Sequence, residues 1–440
     1  MKYFGTDGVR GKVGEKLTSS MAYRIGRFIG QYPNGKSNKI VVSRDTRISG
    51  DMLFMYLSKG IKDSGGIVYD EGVSSTPSIS FLVNKHDYDY GIMISASHNP
   101  FEDNGIKIFN KIGEKLEAEI ENLIEEYMDS KEDYLPKKEG LVYFDEKLKK
   151  EYIENLLSKV DCDLSQLKVA VDCANGSASK IVPELFAKLG IKADFLAIDP
   201  DGTNINLNCG STHLENLVDK VKSGNYDLGF AFDGDADRFL AINHDGRIID
   251  GDGIIYLNAL SMRNKGTLKQ DTVVITVMSN FGLRKKLEED GIKYNIVSVG
   301  DKYVQAELKK NNLSLGGEQS GHVIFMDELN TGDGILSCLK LTMIYVKEKE
   351  IFNKIDSLVI YPQILENIRL ETGVIPGEIL DKSAVKAAIK ECELKLGDSG
   401  RLLVRPSGTE PLIRVMVESL DQEVCKSVID LMVKTIKEAL

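Results

Sequence analysis

The chain has 440 residues, 42% hydrophobic and 28% charged, and its 67 acidic residues outnumber 56 basic ones for a formal charge of −11. That balance supplies cores for roughly two to four domains and excludes both a disordered chain and a disulfide-stapled mini-protein. The acidic excess gives no general reason to bind nucleic acid or an anionic membrane, so a phosphate ligand would need basic groups gathered locally.

The six cysteines, at 162, 173, 209, 338, 392 and 425, show no C-x-x-C spacing. Reduced thiols in a cytoplasmic chain are expected, without zinc or disulfides. The first residues, MKYFGTDGVRG, meet charge and glycine at once and do not read as a signal peptide. Apolar runs such as 273–277 are far too short to span a bilayer.

In chain order, a strand at 39–42 is followed by a helix at 52–61, a stop at Gly65-Gly66 and an apolar stretch at 67–69. The order returns as a strand at 168–171, a helix through Leu189 stopped by Gly190, and a strand at 193–198. It returns again as a strand at 272–277, a helix through Asp290 stopped by Gly291, and a strand at 294–299. These are the pieces of a parallel βαβ crossover. Three such units, about 100–130 residues apart, predict three similar α/β domains.

Between them, 117–139 is dense in Glu, Lys and Asp and reads as an exposed helix leading into a linker. The stretch 355–377, with Pro362 and Pro376, reads as an irregular second junction. A helix at 384–392, strands at 402–404 and 413–417, and an amphipathic helix at 424–440 then predict a small α+β domain. The expected domains are 1–155, 156–254, 255–367 and 368–440.

Four polar segments interrupt these elements. ISASHNP (94–100) follows an apolar strand, where open α/β sheets usually bind ligands. Ser97 beside His98 is a candidate nucleophile, although a Ser/Asn turn would show the same letters. DGDADR (233–238) sets three carboxylates at alternate positions, whose repulsion a hard divalent cation would resolve. It is not a calcium EF-hand, because loop position 6 is Arg238 and position 12 is His244. Mg²⁺ acting with a phosphate fits better; an exposed acidic turn is the alternative. GGEQSGH (316–322) places donors and acceptors between glycines, as a polyhydroxylated ligand or a solvated turn would require. RPSGTEP (405–411) combines an Arg, two hydroxyls and free backbone N–H groups, the makings of an oxyanion cradle or of a plain hairpin loop. No P-loop, dinucleotide loop or H-E-x-x-H occurs.

Together, FGTDGVRG (4–11), ISASHNPFEDNGIKIF (94–109), PDGTNINLNCGST (200–212), DGDADR, GGEQSGH and RPSGTEP resemble, in order, the motifs of the α-D-phosphohexomutase family, nearest to its amino-sugar branch. Leu207 and Leu214 depart from that pattern, where a polar residue and a proline are expected. The resemblance implies an α/β fold of three similar mixed-sheet α/β domains plus a smaller C-terminal α+β domain around a central cleft. It implies interconversion of glucosamine 6-phosphate and glucosamine 1-phosphate, with glucosamine 1,6-bisphosphate as intermediate and activator, in the supply of UDP-N-acetylglucosamine and cell-wall precursors.

Carried onto this chain, the resemblance makes Ser97 the phosphorylated serine and gives Asp233, Asp235 and Asp237, with Ser97, one Mg²⁺ per site. Arg10, Arg238, Lys107 and His322 would surround the transferring phosphoryl group, with Lys107 and His322 moving protons at a lowered pKa. Glu318 and Ser320 would hold sugar hydroxyls, while Arg405, Ser407, Gly408 and Thr409 would grip the phosphate that is not reacting. Such chemistry asks the protein mainly for alignment and charge neutralisation. The partner is then a small hexosamine phosphate, with neither nucleic acid nor membrane, and the family often forms homodimers. The same chemistry on glucose or mannose phosphates, a metal-dependent phosphatase and an inactive sugar-phosphate sensor are the competing readings. RPSGTEP, a second phosphate grip, argues against a phosphatase, and the intact reactive residues argue against a sensor.

Overall fold

The computed structural model describes residues 2–5, 7–33, 37–130, 139–371, 374–407 and 412–440. The chain divides into two compact units, Met1–Met278 with Ile292–Ile355, and Ser279–Gly291 with Asp356–Leu440.

The first unit contains three sheets. The largest runs in the order Phe4–Gly5, Gly8–Lys12, Asp103–Asn110, Tyr90–Ile94, Lys39–Arg44, Ile67–Val73, Leu141–Phe144. The second runs Ile248–Ile249, Phe239–Asn243, Leu228–Phe232, Lys168–Asp172, Lys192–Leu196. The third runs Val323–Phe325, Leu315–Gly317, Thr272–Thr276, Lys293–Val297.

One four-strand arrangement recurs in all three. Two strands joined by a helix lie parallel, a third parallel strand follows, and a hairpin returns a fourth strand antiparallel to the third. The inner strands Tyr90–Ile94, Leu228–Phe232 and Thr272–Thr276 are buried along their whole length. Covered on both faces, they read in sequence as unbroken apolar runs. The three predicted crossovers are therefore present. The helix of the third, Phe281–Glu289, belongs to the second unit.

The expected helix near residue 117 is Ala118–Asp129, and it is not simply a solvated one. Ile124 and Tyr127 join the apolar core. The buried Glu125 carboxylate accepts the backbone N–H groups of Lys2, Tyr3 and Phe4, each at 2.7 Å. Residues 131–138, the remainder of the 117–139 stretch up to Glu139, lie outside the described residues.

The second unit has a three-stranded antiparallel sheet, Gln363–Arg369, Leu412–Ser419, Gly400–Pro406, packed on the helices Ser383–Leu396 and Gln422–Glu438. Its core includes Val385, Cys392, Ile413, Val415, Val417, Val428 and Met432. The buried Glu418 ties Phe281–Glu289 to this sheet, accepting from the Phe281 N–H at 2.9 Å and Arg401 Nε at 2.5 Å. The strand Gln363–Arg369 corrects the reading of 355–377 as irregular. It is an edge strand with Ile368 as its one fully buried residue, so its alternation is weak in sequence. Among the described residues, no helix is long and apolar enough to cross a membrane.

Candidate active site

Three of the four polar segments occupy one topological position. Residues 95–102 join Tyr90–Ile94 to Asp103–Asn110, residues 233–238 join Leu228–Phe232 to Phe239–Asn243, and residues 318–322 join Leu315–Gly317 to Val323–Phe325. Each is the hairpin at the carboxyl end of a parallel strand, the end at which open α/β sheets bind ligands.

Ser97 is buried, and its backbone is left-handed at φ 53°. For a non-glycine residue this costs on the order of 1–3 kcal/mol, so the surroundings must impose it. Its Oγ donates to Asp233 Oδ2 at 2.5 Å and lies 3.3 Å from His98 Nδ1. Burial, with the charges of Arg238 and Arg10, pushes the His98 pKa down to about 4 and keeps that ring neutral. The two hairpins meet closely. A Cβ on Gly234 would stand 2.4 Å from the Ser97 carbonyl oxygen, so only glycine admits this approach.

Asp233, Asp235 and Asp237 are all buried, with a ligand atom from each within 4.8 Å of the others. Asp235 Oδ2 accepts from Thr76 Oγ1 at 2.5 Å and from Lys107 Nζ at 2.6 Å. The buried Oδ1 atoms of Asp235 and Asp237 have no hydrogen-bond partner among the described residues. Burial and the other two aspartates hold the Asp233 pKa well above the usual carboxylate range. For Asp237, burial acts the same way but is outweighed by Lys107, His322 and Arg238, which hold it well below. Crowded acids with bare inward oxygens fit a hard divalent cation, which takes oxygen donors.

Lys107 is fully enclosed, 2.6 Å from Asp235, 3.2 Å from Asp7 and 3.4 Å from Asp237. Burial alone would lower its pKa, yet these carboxylates raise it. The expectation of a lysine at lowered pKa is thus corrected: its neighbours, drawn from two sheets, keep it charged. Arg10 pairs with Asp7, which also holds Lys115 Nζ at 2.5 Å; Lys115 pairs in turn with Asp301. The tight turn at Gly8 (φ 80°) sets the Arg10 strand against Asp103–Asn110. His322 Nδ1 is 3.7 Å from Asp237, and its Nε2 accepts the Gly332 N–H at 3.1 Å. Although burial opposes it, the hydrogen bond and charge of Asp237, aided by Asp301 and Glu318, raise the His322 pKa, so the expected lowered value is corrected here as well. Arg238 lies against Asp237 at 4.0 Å.

Ser97, the three aspartates, Lys107, Arg10, Arg238 and His322 are therefore brought together in the first unit. Glu318 is buried beside His322 and spends Oε1 on the Gly300 N–H at 2.9 Å, whereas Ser320 is exposed on the same hairpin. Sequence reasoning missed Asp7, Thr76, Lys115 and Asp301. Asp7 and Thr76 stand in the small-residue segments FGTDGVRG and SSTPS, which could have drawn attention; Lys115 and Asp301 carry no local signal.

In the second unit, Arg405 sits directly across the sheet from Arg414. Like charges so placed repel, and burial together with Arg414 lowers the Arg405 pKa. Such a pair favours an anion, and Arg414 was not singled out from sequence. The Ser407 N–H donates to the Leu412 carbonyl at 2.9 Å, while Gly408 and Thr409 lie outside the described residues.

Four domains of the phosphoglucomutase/phosphomannomutase family match this chain: α/β/α domain I at 1–135, II at 150–246, III at 250–359 and the C-terminal domain at 365–435. A phosphoglucosamine mutase of Clostridioides difficile (strain 630) is 45% identical over 446 residues, spanning 100% of this chain and 99% of its own. Another from Streptococcus pneumoniae (strain CGSP14) is 46% identical over 428 residues, spanning 95% and 94%. Among solved structures, a phosphoglucomutase/phosphomannomutase family protein of Burkholderia thailandensis superimposes with a TM-score of 0.83 at 23% identity, covering 100% of this chain and 97% of that one. N-acetylphosphoglucosamine mutase of Aspergillus fumigatus, solved with GlcNAc-6P and magnesium, shares the fold with a TM-score of 0.68 at 18% identity, covering 99% and 96%. With whole-chain identities this high to curated relatives, the chain belongs to the α-D-phosphohexomutase family and, within it, to the phosphoglucosamine mutases, isomerases that work by phosphoryl transfer.

Proposed function

We propose that the chain interconverts glucosamine 6-phosphate and glucosamine 1-phosphate through a phosphoserine at Ser97 and a glucosamine 1,6-bisphosphate intermediate, which also acts as activator. The observation that carries this reading is Ser97 Oγ, buried and aimed at Asp233 beside two carboxylate oxygens that have no hydrogen-bond partner among the described residues.

In the forward step, a sugar hydroxyl oxygen bonds to the phosphorus of phosphoserine 97 as the bond from phosphorus to Ser97 Oγ breaks. The hydroxyl proton must leave and a proton must reach Oγ; Lys107, held charged by its carboxylates, can only give a proton and is proposed to supply Oγ, with His322 proposed to take the hydroxyl proton. Arg10, Arg238 and the charged Lys107 stabilise the phosphoryl oxygens during transfer. Asp233, Asp235 and Asp237 would hold Mg²⁺ together with Ser97, an ion that when bound withdraws charge from the phosphoryl oxygens. Glu318 and Ser320 orient the sugar, and Arg405, Ser407, Gly408 and Thr409 grip the resting phosphate. The reverse step, with the other end of the sugar presented, returns a phosphoryl group to Ser97. The domain limits 1–155, 156–254, 255–367 and 368–440, a cytoplasmic location and a homodimer belong to the same proposal.

A ³¹P NMR time course with Mg²⁺ and a trace of the bisphosphate tests it, with glucosamine 6-phosphate and glucose 6-phosphate offered in parallel. Faster conversion of the amino sugar is expected, with at least a ~10³-fold loss in Ser97→Ala. Preference for glucose 6-phosphate would overturn the substrate, and release of inorganic phosphate without isomerisation would overturn the mutase.

A further inference from the structure

Arg47 stands in none of the motifs that carry the proposed chemistry, yet its side chain is completely buried beneath the serine hairpin. A guanidinium has five N–H groups in one plane, and here each has a partner. Nε donates to Asp45 Oδ2 at 2.8 Å. Nη1 donates to the Asp103 carbonyl at 3.0 Å and to the Pro100 carbonyl. Nη2 donates to the carbonyls of Ser97 at 2.9 Å and Asn99 at 2.8 Å. Three carbonyl oxygens of one loop and that of the strand residue that follows it thus converge on one rigid cation.

The surrounding contacts reinforce this. Asn206 Nδ2, reaching over from the second sheet's side, donates to the same Ser97 and Asn99 carbonyls at 2.9 and 3.1 Å. Asp45, the counter-ion of Arg47, also accepts from Ser95 Oγ at 2.6 Å, and that hydroxyl accepts the Ser97 N–H at 2.9 Å. Both backbone polar groups of Ser97 are therefore tied, directly or through Ser95, to the Asp45–Arg47 pair. Its left-handed φ of 53° is an unfavourable conformation that needs such restraint.

We infer that Arg47 is a positioning residue for phosphoryl transfer: it locks the Ser97 backbone in the turn that aims Oγ, and hence the phosphoryl group, at the incoming hydroxyl. This rests on the reading of Ser97 as the phosphorylated residue. Transfer to a bound sugar depends steeply on alignment. Attack by a stray water, drawn from any direction, depends on it far less. Loosening the loop should therefore lower the ratio of transfer to hydrolysis. That ratio is independent of how much of a preparation is folded.

The full-length protein is labelled at Ser97 with ³²P from glucosamine 1,6-bisphosphate in Mg²⁺, then mixed with glucosamine 6-phosphate, and label is counted in sugar bisphosphate and in inorganic phosphate. Arg47→Lys keeps the charge but offers three N–H groups from a single point, so the ratio should fall about tenfold or more. Asn206→Ala removes two of the reinforcing bonds without leaving a buried charge, and should lower the ratio by a smaller factor. It keeps the test available if Arg47→Lys does not fold. Normal labelling with an unchanged ratio would overturn the inference alone. Wild-type protein that takes up no label at Ser97 would overturn the underlying reading and the inference with it.

Discussion

Two groups of buried acid take hydrogen bonds from the first turn of the helix Thr76–His86, and the protein treats them differently. Thr76 donates to Asp235 in the crowded trio, and Ser78 donates to Oε1 of Glu71, a solitary carboxylate. Glu71 makes no direct ion pair among the described residues, its Oε2 lacks a hydrogen-bond partner there, and burial, only partly offset by nearby hydroxyls and the charge of Lys149, pushes its pKa up to about 7. The trio is split instead, with Asp233 pushed up and Asp237 held down. A lone buried carboxylate escapes its desolvation cost by taking a proton. Crowded ones that must stay ionised need positive charge, and Lys107 supplies part of it. The remaining bare oxygens mark where a cation would supply the rest.

The largest effect should come from removing one charge in the trio. Asp235→Asn keeps the shape of the side chain and should raise the Mn²⁺ dissociation constant by more than the ~100-fold that loss of an outer partner costs. Free Mn²⁺ counted by electron paramagnetic resonance reads this directly, and Glu71→Gln should leave the constant unchanged. Equal affinities in Asp235→Asn and wild type would erase the distinction between the two groups.

Glu71→Gln sharpens the other half. A folded-state pKa of about 7 lies above the ordinary 4.5, so the folded protein binds this proton more tightly than the unfolded chain. The stability that the proton contributes is complete below about pH 4.5 and is lost as pH rises through about 7. At pH 8 the Gln variant should exceed wild type by roughly 2–3 kcal/mol relative to their difference at pH 4.5. Urea denaturation of both proteins at the two pH values measures it, and a difference that does not change with pH would show that Glu71 titrates alike in the folded and unfolded chain.

The frame of the site was legible because it is built from local patterns. Fully buried parallel strands are apolar runs, glycines stop the crossover helices, and the reactive segments sit in hairpins whose small polar residues contrast with the strands before them. Ser97, Asp233, Asp235 and Asp237 could be singled out for that reason. What was not legible comes from contacts between distant residues. Lys107 meets Asp235 across 128 positions and Lys115 meets Asp301 across 186, so neither the charged state of Lys107 nor the Asp7–Lys115–Asp301 chain has a local signature. Arg47 and Arg414 were hidden likewise, one by tertiary burial and the other by cross-strand pairing. The edge strand Gln363–Arg369 was missed because a single fully buried residue leaves little periodicity to read.

Thr76 offers the finest test, because one residue is the bridge between the acid trio and the helix that also shelters Glu71. Its hydroxyl and Lys107 together occupy Asp235 Oδ2, which fixes the carboxylate so that Oδ1 is the atom left bare. Its backbone N–H, one of those a helix start leaves unpaired, donates to the Asp235 carbonyl at 3.0 Å. Thr76→Val keeps shape, β-branching and that backbone bond, and deletes the hydroxyl alone. Mn²⁺ affinity should fall about tenfold, the lower end of what an outer partner is worth, and Thr76→Ser should restore it. If Val and Ser bind Mn²⁺ equally well, Lys107 suffices to orient Asp235. If Val binds it well and Ser poorly, the methyl group matters more than the hydroxyl, and packing at the helix start rather than a hydrogen bond holds the acid in place.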